Sequence, residues 1–463
     1  MTFASTAAFE TRRLTPDDVA DYRTNDLLTE DSAALRFAEL FADKLRFCHD
    51  SGAWFEWSGS AWRKNRTGRA FHWARDLARN LADNEPDKVR YITGKTSFAR
   101  GVEAFSRTDP TFAVTIEAWD RDPFLLGTPG GTVDLRTGLL RPADPKDGIT
   151  KLAGCAPARA PDCPRWLRFL EEATGGDAEA IRFMKQWCGY SLTGDTREHA
   201  LIFVYGPGGN GKSVFLNVLT AIMGEYATTA AMDTFTASHN DKHPTDLAML
   251  RGARLVTASE TEEGRAWAES RIKQMTGGDT ITARFMRQDF FSFRPNFKLT
   301  IVGNHKPALR NVDDAARRRF NIVPFTRKPA SPDPELEAKL KEEWPGILRW
   351  MIEGCLDWQK NGLVRPASVT EATQTYFSDQ DLLGQWIEEM CRIEQGRMDI
   401  WDRCADLFES WSEYARDAGE EPGTMKSFSE AMQRKGFAPY RTKKTRGFRG
   451  IQLLPKARTG FSE

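Results

Sequence analysis

Apolar residues recur at helical spacing over Ser32–Phe47 and again over His72–Leu81. Between them, Trp54–Trp62 alternates around a Ser-Gly turn, so helix, hairpin, helix is the expected order. Residues 1–30 are polar and are expected to be a flexible N-terminus. Leu125–Leu140 is rich in turn formers, including Thr128-Pro129-Gly130-Gly131, and predicts β-structure. The stretch 155–165 is rich in proline and poor in apolar side chains, which marks a boundary. Helical spacing resumes over Trp166–Tyr190. From about 198 to 326, four apolar runs (Leu201–Tyr205, Arg254–Ser259, Leu299–Val302 and Phe320–Phe325) alternate with helical segments. Such alternation predicts a mostly parallel sheet covered on both faces. Helices are expected through Glu335–Gly362, and residues 365–463 read as helices followed by a short β-ending, Gly447–Leu454. The expected organisation is therefore an N-terminal α+β domain (31–155), a helical collar (165–197), an α/β domain (198–362) and a C-terminal domain (365–463).

Composition adds little until it is resolved along the chain. The 65 Lys and Arg balance the 65 Asp and Glu, so net charge points to no nucleic-acid partner. From Thr424 onward, however, ten basic residues face two acids, a local basic surface on a neutral protein. Seven scattered cysteines form no disulfide framework, which suits a reducing cytoplasm. Cys155 and Cys163 lack zinc-ligand spacing, and His239 and His243 lie in a polar stretch that reads as surface loop. With no apolar run long enough to span a bilayer, the expectation is a soluble, non-exported chain with no membrane partner.

The strongest chemical signal is Gly206-Pro207-Gly208-Gly209-Asn210-Gly211-Lys212-Ser213, which fits G-x-x-x-x-G-K-S between a β-run and a helical run. Glycines let backbone N–H groups curl around phosphate oxygens, and the following helix start adds unpaired N–H groups and a positive dipole end. Lys212 then reaches the outer phosphates, and the Ser213 hydroxyl ligates Mg²⁺. ATP and Mg²⁺ are the expected cofactors. The run Leu255–Ser259 ends in Glu260, with Glu262 and Glu263 close behind. A carboxylate there can hold Mg²⁺ or polarise the attacking water. Leu299–Val302 leads to Asn304, whose amide can sense a phosphate or orient water. Arg317-Arg318-Arg319 precede the last apolar run and offer an arginine finger, or else a basic helix end near its own dipole.

Taken together, these residues resemble the superfamily 3 helicases, specifically the phage and plasmid primase-helicases of the poxvirus D5-like and P4-like type. The resemblance is carried by Gly252–Val256, Ala258–Gly264, Lys273–Asp279, Ala283–Phe285, Gly303–Pro307 and Arg318-Arg319. It implies an AAA+-like six-membered ring, ATP between subunits, and single-stranded DNA passing through the pore in the 3′ to 5′ direction. Lys212, Glu260, Asn304 and either Arg318 or Arg319 become the implied catalytic set, with Ser213 and Glu260 at the metal and Glu262 as a helper. Ser259 stands where many such motors carry a second acid, and Arg317 where an aromatic is frequent. Lys273, Arg284, Arg287 and Lys298 fall in the implied pore-facing segment. Residues 367–455 resemble a winged helix, with Lys443, Lys444 and Arg446 on its wing, which suggests duplex or origin DNA as a second partner.

The run Arg284-Phe285-Met286-Arg287 through Phe293 mixes cations with aromatics, a combination suited to sequence-independent single-strand binding. Phe291 and Phe293, alternating around Ser292, are expected in the core, and Arg287 at a hairpin tip. Primer synthesis is not expected, because Asp120-Arg121-Asp122 is the only nearby D-x-D candidate ahead of the α/β domain and reads as loop. A DNA-remodelling or loading AAA+ ATPase, or a primase-associated subunit without unwinding activity, is the alternative function.

Overall fold

The computed structural model describes residues 27–237, 245–259, 265–287, 289–309, 314–394, 396–397, 399–418, 420–442 and 445–454. The chain divides into two units, one built from the residues up to Asp122 together with 142–151, the other from 123–141 together with Leu152 onward. Among the described residues no helix is long and apolar enough to cross a membrane.

In the first unit, helix α1 (Glu30–Phe41) starts at Thr29, whose hydroxyl accepts from the Ser32 N–H. The helical pattern expected to reach Phe47 stops at Phe41, and Leu45–Cys48 is instead strand β1. The cause is pairing. β1 hydrogen-bonds antiparallel to β2 (Ala53–Trp57), with Phe47 opposite Trp54 across a turn that contains Gly52. β2 continues into β3 (Trp62–Lys64), the expected Trp54–Trp62 hairpin. Helices α2 (Arg69–Leu81), α3 (Asp87–Thr93) and α4 (Thr96–Thr108) follow, then β4 (Ala113–Val114) alongside β1. Phe37, Phe47, Trp54, Phe98 and Phe112 form the core.

The second unit opens with a three-stranded meander, β5 (Leu125–Thr128), β6 (Gly131–Asp134) and β7 (Leu139–Arg141). It folds with this unit because Leu126, Val133 and Leu135 enter its core, and Arg254 donates to the Leu125 carbonyl at 2.8 Å. Helices α5 (Pro164–Thr174) and α6 (Ala178–Ser191) lead to a five-stranded parallel sheet. Its order is β14-β8-β13-β10-β9, with β8 (Leu201–Tyr205), β9 (Ala227–Thr229), β10 (Leu255–Ser259), β13 (Lys298–Gly303) and β14 (Phe320–Pro324). The four expected runs are four consecutive strands in this order, with β14 at one edge, and β9 is an added strand at the other.

Successive strand residues serve two cores. Ile202, Val204, Val302 and Val323 face one that includes α5, α6, α7 (Lys212–Met223) and α11 (Trp344–Asn361). Leu201, Phe203, Ile301 and Ile322 face the other, with Trp267 and Tyr376. Period-two alternation between two buried faces gives the continuous apolar runs seen in the sequence. Between β10 and β13 lie α8 (Glu269–Gly277) and a hairpin of β11 (Ile281–Ala283) and β12 (Phe291–Phe293). Helix α9 (Asp314–Arg319) runs directly into β14, and α10 (Leu336–Glu342) precedes α11. After α12 (Ala367–Asp379) come α13 (Leu382–Met390), β15 (Cys391–Ile393), β16 (Trp401–Arg403), α14 (Cys404–Asp417), α15 (Met425–Arg434), β17 (Pro439–Arg441), β18 (Arg446–Arg449) and β19 (Ile451–Leu453). Trp386, Leu407, Phe428, Met432 and Phe448 pack as their shared core.

Candidate nucleotide site and nucleic-acid hairpin

The parallel strands end at one edge of the sheet. Gly303 and Pro324 are both level with Tyr205, and Ser259 is level with Val302. Loops leaving this edge therefore meet, as in other open α/β sheets whose ligands bind beyond the carboxyl ends of the strands. Gly206–Gly211 is one of these loops. A Cβ on Gly206 would come within 1.8 Å of the Phe325 carbonyl oxygen, so β14 can lie alongside only a glycine. Gly211 takes φ 83°, and a Cβ there would meet the Phe169 ring at 2.4 Å. Pro207, Gly208 and Gly209 are exposed, while Asn210 is buried and donates through Nδ2 to the Arg327 carbonyl at 2.9 Å.

Lys212 begins α7 and is buried; its Nζ donates to the carbonyls of Gly206 (2.6 Å) and Pro207 (3.0 Å). Burial holds its ammonium below the ordinary lysine range. Ser213 is exposed in the first turn of α7, where helix N–H groups have no intrahelical partners. Glycine clearances that only hydrogen can fill, a buried cation folded over its own loop, an exposed hydroxyl and a helix start together fit a magnesium-bound nucleoside triphosphate. Lys212 and the loop N–H groups would hold the phosphates and Ser213 the metal. Asn304 is exposed immediately after β13, at the same edge. Lys306 follows, its Nζ 4.5 Å from the centre of the Tyr205 ring. Glu260, Glu262 and Glu263 lie outside the described residues, as do Lys443 and Lys444; Ser259 is the last residue of β10.

The arginine cluster stands at the opposite edge. Arg319 precedes Phe320, which is level with Leu201 at the start of β8. Its Nε donates to Thr276 Oγ1 at 3.2 Å and its Nη1 to the Ala315 carbonyl at 2.8 Å. Arg318 is exposed, and Arg317 lies over the Phe377 ring. A five-residue strand spans about 17 Å, which separates Arg319 from the glycine-rich loop Gly206–Gly211.

In the hairpin, Ile281, Ala283 and Phe293 are buried, Phe291 is half-buried, and Thr282 and Ser292 face outward. Arg284, Phe285, Met286 and Arg287 are exposed at the tip, and Arg287 takes φ 62°. Arg284 sits 4.6 Å from the centre of the exposed Phe290 ring. Lys273 is half-buried on α8.

Lys298 is a correction to the sequence reading. It is 2% exposed, and its Nζ donates to the carbonyls of Thr193 and Asp195 while lying 4.8 Å from the Tyr190 ring centre. Burial, reinforced by the neighbouring Arg254, pushes its ammonium well below the ordinary lysine range. A side chain anchoring the interior this way cannot contact DNA. Asp120 accepts from the Thr150 N–H and hydroxyl, a local loop role. Arg446 is exposed at the start of β18, which pairs with β17. Sequence reasoning missed Arg327 and Lys328, which reach the phosphate loop from the far end of β14; no motif flags them.

Comparison with known proteins agrees with this geometry. Residues 34–175 match the family described as D5 N terminal like, and residues 204–319 a family of unknown function, DUF5906. "Putative helicase L207/L206" of Acanthamoeba polyphaga mimivirus is 24% identical over 65% of this chain and 34% of that protein. "Putative helicase 022R" of Frog virus 3 is 25% identical over 61% and 30%, and "Putative primase C962R" of African swine fever virus is 22% identical over 59% and 31%. The chain thus spans about a third of the length of the curated relatives it matches. The apo structure of the NrS-1 C-terminal region superposes with a TM-score of 0.51 at 11% identity, over 92% of this chain and all of that one, a likeness of fold. The D5 N terminal like match and the viral putative helicases and primases support a chain of the D5-like primase-helicase type.

Proposed function

We propose that this chain is an ATP-dependent DNA helicase subunit that works as a homohexameric ring, moving 3′ to 5′ on single-stranded DNA in the replication of a phage, prophage or plasmid. The observation that carries the reading is the separation of two functions across one sheet. Gly206–Ser213 and Asn304 stand at the carboxyl edge, and Arg318 and Arg319 at the amino edge. An arginine so far from its own phosphate loop can neutralise transition-state charge only on a neighbouring subunit's nucleotide, which requires a ring or filament. Within the subunit, Lys212 holds phosphate, Asn304 orients water or senses the outer phosphate, and Glu260 supplies the carboxylate. The exposed Arg284, Arg287 and Phe290 suit phosphate contact and base stacking. The C-terminal helices and strands, with Arg446 exposed, support a winged-helix module for duplex or origin DNA. The names of the viral relatives point the same way.

The test is steady-state ATP hydrolysis with and without single-stranded DNA. Several-fold stimulation in the wild type, absent in Lys212→Ala, is expected. Hydrolysis indifferent to DNA would contradict the reading. DNA-stimulated hydrolysis without strand separation on a forked duplex would favour a loading ATPase.

A further inference from the structure

We propose that the cleft between the end of α5 and the segment after β14 receives the nucleoside half of the nucleotide. Glu171 and Glu172 accept from the ribose hydroxyls, and Lys328 adds a same-subunit cation to the phosphates. The inference rests on reading Gly206–Ser213 as the phosphate cradle and names what lies beside it.

The cleft has a volume of about 480 Å³ and is walled by Glu171, Glu172 and Gly175 on one side and by Arg327, Lys328 and Ser331 on the other. That volume lies in the range of small-molecule sites. Its position follows from the fold. The Phe325 N–H donates to the Tyr205 carbonyl at 2.7 Å, which keeps the chain leaving β14 against the start of the phosphate loop. Two residues on, the Arg327 carbonyl accepts from Asn210, and the Lys328 Cε lies 4.0 Å from where a Cβ on Gly209 would stand. From the opposite wall, Phe169 of α5 packs against Gly211, and a Cβ on Gly175 would be 3.1 Å from Arg327 Nε. Two lining residues, Arg327 and Lys328, thus lie against residues 209–211, where phosphates would be held.

The walls carry opposite charge. Glu171 and Glu172 are exposed in the last turn of α5, where the helix dipole is negative and Gly175 closes the helix. Such a wall repels phosphate and accepts hydrogen bonds from hydroxyl groups. Arg327 and Lys328 are exposed on the facing wall and attract phosphate. A nucleotide with its phosphates on the loop thus has one favourable orientation, sugar toward the carboxylates. One net hydrogen bond is worth about 0.5–1.5 kcal/mol, so loss of the 2′-hydroxyl should weaken binding about 2- to 10-fold.

Calorimetric binding of ATP and dATP to the full chain tests this. The wild type is expected to favour ATP over dATP by about 2- to 10-fold. Joint Glu171→Ala and Glu172→Ala substitution should bring the ratio to about one. Lys328→Ala should weaken both ligands severalfold while preserving the ratio. All three side chains are exposed, so thermal unfolding should match wild type. A wild-type ratio of about one, an unchanged ratio in the double variant, or unchanged affinity in Lys328→Ala would overturn the inference while leaving the cradle in place. Failure of the wild type to bind either nucleotide, or undiminished binding by Lys212→Ala, would overturn the cradle reading itself.

Discussion

Two lysines show how residue type and residue role part company. Lys212 and Lys298 are both buried and both donate to backbone carbonyls, yet one closes the glycine-rich loop Gly206–Gly211 and the other braces the interior. An unpaired lysine in a sequence is read as exposed because burial is costly. Lys298 escapes that expectation through the carbonyls of Thr193 and Asp195, which no local pattern announces. Glycines of the loop were legible because their need is local. Gly211→Ala should reduce ATP hydrolysis at least tenfold, since both its φ and the Phe169 contact at 2.4 Å forbid a side chain; hydrolysis rates alongside circular dichroism check this. Asp357 gives a pH prediction. Its bidentate hydrogen bonds from Arg182 lower its pKa from 3.8 to about 2. The folded state thus binds fewer protons, so the stabilisation is present above about pH 4 and lost as pH falls toward about 2. Asp357→Asn should melt below wild type at neutral pH, and the two melting curves should converge at the acid end.

Elements were read well where both faces are buried and poorly where a strand is short and polar or its pairing alone decides it. β8, β10, β13 and β14 appear as apolar runs because each feeds two cores. β9, Ala227-Thr228-Thr229, is a short polar edge strand and carries no such run. β1 was absorbed into the preceding helix because Leu45 and Phe47 also fit helical spacing, and only the hairpin with β2 decides between them. The β11–β12 hairpin follows its alternation, with Phe293 in and Arg284 and Arg287 out. Each phosphate contact contributes about 0.7 to the log–log salt slope of single-strand binding. Replacing Arg284 and Arg287 together by Ala should therefore lower that slope by about 1.4 with DNA-independent hydrolysis retained. Lys298→Met should leave the slope unchanged, because its ammonium never reaches solvent. Titrations of labelled oligonucleotide across a salt series read both.

The whole chain is neutral, and its function is legible only in where charges stand. The phosphate loop was readable from its spacing. The nucleoside cleft was not, because Glu171–Glu172 and Arg327–Lys328 are far apart in sequence and only the neighbouring ends of α5 and β14 bring them together. The same sheet fixes the argument for assembly, since β14 carries Arg319 to one edge and Lys328 to the other.

The measurement that tests the central claim most directly mixes two inactive variants. Lys212→Ala lacks the cradle cation and Arg319→Ala lacks the finger, so each alone should lose most DNA-stimulated ATP hydrolysis while melting near wild type. Mixed rings contain interfaces that pair an intact loop with an intact finger, and a titration of one variant into the other should restore part of the wild-type rate. Full activity of Arg319→Ala alone, or no recovery at any mixing ratio despite exchange of subunits, would contradict a site shared between subunits.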